Sequence, residues 1–209
     1  MDTLSTLALS LGAGWASGLN PYATVLMLGL AGLSGLVGLP ADLQVLQSPW
    51  VLGAAGVLYA INFFADKVPA VDSVNDFIHT FLRVPAGAVL AAAAAGQLDP
   101  TVTVIAGLVG GTLAAGAHAT KSGMRVLANT SPEPFSNIAL SFVDDIFAVG
   151  ILWVAIKFAL IFFGLLAVGL IVMGWLLPRM IRLLAGLFRR FTGRDARQGP
   201  PVGLQGPSW

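Results

Sequence analysis

Two stretches of this chain carry the side chains that could do chemistry. The first holds Asp66, Lys67, Asp72, Asp76, His79 and Arg83, and the second holds His118, Lys121, Arg125, Glu133, Asp144 and Asp145. Each contains three acids and two bases. The bases and His118 suit an anionic headgroup or solute, and the aspartates suit a coupling proton or cation. Aspartates could also gather a magnesium ion, which prefers oxygen ligands. With two histidines and no cysteine, a zinc site would need carboxylates to complete it. Thiolate metal sites, disulfides and cysteine nucleophiles are excluded.

The spacing places these groups on helix faces. His118, Lys121, Ser122, Arg125 and Asn129 follow one another at 3, 1, 3 and 4 residues, which is one face of a helix. After Ser131-Pro132-Glu133-Pro134, the residues Asn137, Ser141, Asp144 and Asp145 share a face again. An antiparallel hairpin turning near Pro132 sets Arg125 opposite Leu140-Ser141 and Lys121 opposite Asp144-Asp145. In the first stretch, Asp72, Asp76, His79 and Arg83 oppose Val74, Phe77, Ile78, Phe81 and Leu82. This predicts an amphipathic helix of about three turns, stopped before Pro85 and too short to span a membrane.

The elements that must position these charges are apolar. The chain has 209 residues, 56% of them hydrophobic and 10% charged, with a net charge of +1. Ordinary soluble domains carry about 25% charged residues. The composition therefore describes an integral membrane protein and argues against a nucleic-acid partner. Met1-Asp2-Thr3 lacks a basic leader, so the first apolar run reads as a retained span. It extends from Leu4 to Leu39 and breaks at Gly18-Leu19-Asn20-Pro21. Pro21 disfavours helical backbone at Asn20, which predicts a discontinuous helix or tight helical hairpin there.

Further apolar runs cover Trp50–Ala65, Val84–Leu98, the stretch from Thr101 to His118, and Phe135–Leu177. The last has room for two spans, with a turn at Gly150 or between Lys157 and Gly164. The expected fold is all-α and polytopic, with about six transmembrane helices and broken or re-entrant segments. Gly12–Asn20 weakly echoes Gly110–His118, which raises an internal, inverted repeat of the kind transporters use. Residues 1–178 form a single transmembrane domain.

Residues 179–209 form a tail, first basic and then rich in glycine and proline, and expected to be disordered at its end. Arg179, Arg182, Arg189, Arg190, Arg194 and Arg197 lie in this tail, which predicts a cytoplasmic C-terminus. Gly14/Gly18 and Gly107/Gly111 are small-residue pairs that let helices approach closely and leave room for a homo-oligomer. Lys157 is expected to snorkel to the interface.

A set of motifs carries a family resemblance. Gly18-Leu-Asn-Pro-Tyr22, Ala65-Asp-Lys-Val-Pro69 with Val71-Asp72, Arg83-Val-Pro-Ala-Gly87, His118-Ala-Thr-Lys-Ser122, Ser131–Asn137 and Asp144-Asp145 resemble the bacterial membrane family catalogued as domain of unknown function 4126. The resemblance spans most of Leu4–Pro178. It implies a small polytopic inner-membrane protein and no particular substrate.

Three functions fit these residues. The first is a small transporter, channel or lipid flippase with a charged intramembrane site and no cofactor. Its candidate residues are Asn20, Asp66, Lys67, Asp72, Asp76, His79, Arg83, His118, Lys121, Arg125, Asn137, Ser141, Asp144 and Asp145. Its partners would be membrane lipid and a small anionic solute or headgroup. The second is a membrane-embedded enzyme acting on a phosphate-bearing lipid with magnesium. The aspartate and histidine motifs of known enzymes of that kind are missing, so the sequence leans away from catalysis. The third is a structural or accessory subunit whose charges fix helix register.

Overall fold

The computed structural model describes the backbone of residues 1–66, 71–128 and 134–195. It describes their side chains apart from 71–74, 76, 77, 127, 128, 134–138, 184 and 187–195. Among the described residues every regular element is a helix. The helices are α1 (Thr3–Leu19), α2 (Pro21–Leu33), a 3-10 helix (Ala41–Gln47), α3 (Pro49–Ala65), α4 (Val71–Ala95), α5 (Pro100–Ala128), α6 (Pro134–Lys157) and α7 (Ala159–Asp195).

Four of these are long and apolar enough to cross a membrane, within α4, α5, α6 and α7. The 3-10 helix and α3, bent by 67° at their junction, make up to five. This is a multi-pass helical membrane protein with a broken segment. The count falls below six because the first apolar run is divided between α1 and α2, of 17 and 13 residues.

The break between α1 and α2 is a single residue. Asn20 leaves the helical region at φ −152° and ψ 101°. Its amide completes α1 by donating to the Ala16 carbonyl at 2.9 Å. Its side-chain oxygen caps α2 by accepting from the Ala23 amide at 3.1 Å, and Pro21 follows at the first helical position, where no donor is needed. The expected hairpin is therefore present. At its far end Gly35, with φ +71°, closes α2 in the left-handed conformation that glycine tolerates.

Successive helices alternate in direction. Ser10 and Ser17 of α1 donate to the carbonyls of Ala91 and Arg83 of α4, so α1 and α4 run antiparallel. A Cβ on Gly14 would lie 2.6 Å from the Gly110 Cα, and one on Gly18 would lie 2.6 Å from the Ala114 Cα. The backbones of α1 and α5 therefore touch, in parallel. The echo between Gly12–Asn20 and Gly110–His118 thus relates two neighbours that point the same way, and α5 continues unbroken through His118. This pair is not an inverted one.

Twelve of the 17 residues of α1 are buried, against 17% of the span in α7. α1 is the centre of the bundle and α7 is its rim.

Two expectations need correction. The segment from Asp72 to Arg83 is not a separate short helix; it is the first half of α4, which runs through Pro85 to Ala95. Within a membrane, a backbone leaving the helix finds no water to bond, so a proline is absorbed where neighbouring helices support it. Here Gly87, two residues on, lets α4 close against Ala114 of α5 and Gly14 of α1, so neighbouring helices hold α4 through the proline. The basic tail does not begin as a separate segment either, because α7 passes Pro178 and reaches Asp195. The turn in the last apolar run falls at Phe158, between Lys157 and Gly164 as the spacing allows. Residues 198–209 lie outside the described chain.

Candidate functional site

The alternation of the helices brings six helix ends to one end of the bundle. These are the C-terminal ends of α1, α3 and α5 and the N-terminal ends of α2, α4 and α6. Nearly every described polar side chain that the sequence singled out meets there.

At the centre stand two bases and two acids. The Lys121 ammonium donates to the Asp66 carboxylate at 3.3 Å and lies 3.4 Å from that of Asp144. Arg125 reaches the same two carboxylates at 3.2 and 3.6 Å. Each base thus touches both acids. The side chains of Lys121, Arg125 and Asp66 are at most 2% exposed, and that of Asp144 is 17% exposed. Lys121 also donates to the Leu19 carbonyl at 3.2 Å. An ammonium has three donors, and here each has an acceptor. The contact with Leu19 puts a positive charge on the negative end of the α1 dipole. A charge buried among helices of a membrane protein is tolerated when paired in this way.

Around this core lies a shell of neutral partners. The Asn75 amide donates to Asp66 and to the Asn62 side-chain oxygen, both at 2.9 Å. Asn62 lies one helical turn before Asp66 and donates to it at 3.4 Å. His79 Nδ1 lies 2.7 Å from the Asn75 carbonyl, so Nδ1 carries the proton, and Nε2 meets the Tyr22 hydroxyl at 3.0 Å. Arg83 Nη1 lies 2.8 Å from His118 Nδ1. A guanidinium only donates, so Nδ1 accepts and His118 is the neutral Nε2–H tautomer, facing Thr80 Oγ1 at 2.6 Å. Ser141 is buried on α6, one turn before Asp144 and Asp145.

Asp145 stands apart from the four-member cluster. It accepts from the Asn20 side-chain amide at 2.9 Å and from the Tyr59 hydroxyl at 3.5 Å. The sequence expectation left Asp144 and Asp145 interchangeable opposite Lys121; only Asp144 is there. Neighbouring positions on a helix point about 100° apart, so one faces α5 and the other faces the α1–α2 corner.

The structure therefore unites Asn20, Asp66, His79, Arg83, His118, Lys121, Arg125, Ser141, Asp144 and Asp145 at one end. Lys67, Asn129 and Glu133, and the side chains of Asp72, Asp76 and Asn137, lie outside the described residues. The sequence reading missed Tyr22, Tyr59, Asn62, Asn75 and Thr80. Asn62 carried a usable signal, a polar residue four before an aspartate on an otherwise apolar helix.

Among the described residues, no group of three or more His, Asp or Glu side chains is placed to hold a metal ion. A groove of about 660 Å³ lies between α4 and α5, lined by small and apolar residues such as Ala88, Ala92, Gly107 and Gly111. It contains none of the charges.

A family model, described as Domain of unknown function (DUF4126), matches residues 7–179. The chain belongs to this family. The match takes in both sides of the charge cluster and all helices up to the middle of α7, as the motif resemblance implied. No curated protein and no solved structure matches the chain.

Proposed function

We propose that this protein is a small transporter, channel or lipid flippase whose solute or headgroup passes the charge cluster. On this reading it sits in a bacterial inner membrane with its basic C-terminal end in the cytoplasm. The observation that carries the reading is the α1–α2 corner. A helix interrupted by one residue, at the level of buried ion pairs, is how membrane transporters build a polar site without exposing backbone to lipid. Arg83, Lys121 and Arg125 favour a solute carrying a carboxylate or phosphate.

The magnesium-enzyme reading is weaker, because Lys121 and Arg125 already engage the oxygens of Asp66 and Asp144 that a cation would need. The chain has no native cysteine, which makes the test direct. Ser141→Cys and Thr80→Cys are labelled with a membrane-impermeant thiol reagent, in intact cells and in inverted vesicles. Labelling from both sides is the expected result. Complete protection from both sides, in protein that inserts and stays folded, would leave a dry ion-pair core and defeat the proposal.

A further inference from the structure

The outward face of α7 carries charge at the depth of the buried cluster. Met173 and Met180 of α7 close against Gly116 and Gly123 of α5. The spacing is the same on both helices, so they run parallel and in step, and Lys121 lies about level with Pro178. Trp175, Arg179 and Arg182 follow one another at 4 and 3 residues, on a different face from the two methionines. All three are exposed.

Depth decides what surrounds them. The far edge of the bundle is marked by Lys157 and Trp153, and α7 begins just past it at Ala159. About 20 residues of helix cross the hydrocarbon, so α7 emerges near Arg179. Trp175 then sits at the headgroup boundary, where tryptophan is favoured, and the two arginines sit among the phosphates.

Both arginines are held in place. The Arg179 guanidinium lies 3.7 Å from the centre of the Trp175 ring, and its Nη1 donates to the Trp175 carbonyl at 2.9 Å. Arg182 Nε donates to the Pro178 carbonyl at 3.2 Å. These contacts turn each charge back along the helix toward the lipid, whereas an arginine that only fixes topology reaches for water. A guanidinium has five donors in one plane. Stacking on the indole takes the face of Arg179 and leaves its edge for an anion.

We infer that Trp175, Arg179 and Arg182 form a seat for the phosphate of an anionic phospholipid, in the leaflet at the cluster's end of the bundle. Guanidinium donors match phosphate oxygens in pairs, and two arginines one turn apart reach a single headgroup. An acidic protein is the poorer match, because Trp175 belongs to the apolar span Ala159–Leu183 and a soluble surface would have to enter lipid to cover it. The inference stands apart from the transport reading. On the orientation proposed above the leaflet is the cytoplasmic one, whose anionic lipids attract bases beside a span.

The experiment uses the full chain, purified in detergent, delipidated, and titrated with phosphatidylglycerol or phosphatidylcholine while native mass spectrometry counts bound lipid. Phosphatidylglycerol is expected to bind more tightly. Arg179→Gln and Arg182→Gln should each weaken it about fivefold and change phosphatidylcholine less. Trp175→Leu keeps both charges and an apolar side chain, and should also weaken phosphatidylglycerol by releasing Arg179. Arg189→Gln with Arg190→Gln controls for diffuse charge and should cost less than Arg179→Gln with Arg182→Gln. Should the seat variants not fold, wild-type protein with a phosphatidylglycerol carrying a photoactivatable headgroup is expected to cross-link within Trp175–Arg182. Equal binding of the two lipids, an unchanged affinity in Trp175→Leu, a control that costs as much as the seat, or cross-links elsewhere overturns the inference. Polyglutamate binding that depends on Arg179 and Arg182, while the two lipids bind alike, overturns it in favour of an acidic protein.

Discussion

Two lysines close the two ends of the α1–α2 hairpin, and they do so with the same bond. Lys121 donates to the Leu19 carbonyl where α1 ends. Lys157 donates to the Leu36 carbonyl just past α2, at 3.1 Å. Their surroundings are opposite. Lys121 is buried between two carboxylates. Lys157 is exposed, with its ammonium 5.7 Å from the centre of the Trp153 ring, and no carboxylate pairs with it among the described residues. The first lysine cannot leave without stranding buried charge, and the second can exchange its partner for water. The end that holds Lys121 is a buried cluster of paired charges, and the end that holds Lys157 is an exposed edge.

The largest effect is expected at Lys121. Lys121→Met leaves two buried acids facing one base and should cost about 3–5 kcal/mol, or prevent stable insertion, by denaturant titration in micelles. Adding Asp144→Leu restores a balanced Arg125–Asp66 pair, so the double variant should be more stable than Lys121→Met alone. A double variant weaker than the single one would mean that Asp144 has a partner more important than the two bases.

Next comes the waist between the ends. Gly14→Val drives a side chain into the Gly110 backbone and should cost about 1–3 kcal/mol by forcing α1 and α5 apart. If it were harmless, the α1–α5 contact could not be what sets Leu19 level with Lys121. Lys157→Ala should cost under about 1 kcal/mol, as exposed charged contacts do. A loss there as large as at Lys121 would erase the contrast between the ends.

The smallest effect belongs to Asp99, at the start of α5. Hydrogen bonds from Thr101, first from its hydroxyl and then from its amide, hold the Asp99 carboxyl below the usual carboxylate range. A carboxyl lowered on folding stabilises at neutral pH and loses that contribution as the pH falls through its folded-state value. Asp99→Ala should therefore lower the unfolding midpoint slightly at pH 7 and leave it unchanged in strong acid.

Local patterns made much of this legible. The Asn20-Pro21 step announced the corner, because proline acts on the residue before it. The spacing of Lys121 and Asp144 about Pro132 announced their pairing, because an antiparallel hairpin maps positions across its turn. Asp66 was not legible as the second acid of the cluster. It approaches Lys121 and Arg125 from another helix, and no periodicity links position 66 to 121 or 125. Pro85 misled for a related reason. Its effect was judged as in water, where a freed carbonyl finds a partner, but in this bundle the helix has nowhere better to go. Tyr22, Tyr59, Asn75 and Thr80 escaped notice because uncharged polar residues are common on membrane helices, and only the folded neighbourhood shows what each one touches.

A corner made of one residue has no slack. Any swing of α2 relative to α1 must be taken up in the two backbone torsions of Asn20, and the same residue's amide holds Asp145. The hairpin's angle and the carboxylate's orientation are then a single mechanical coordinate.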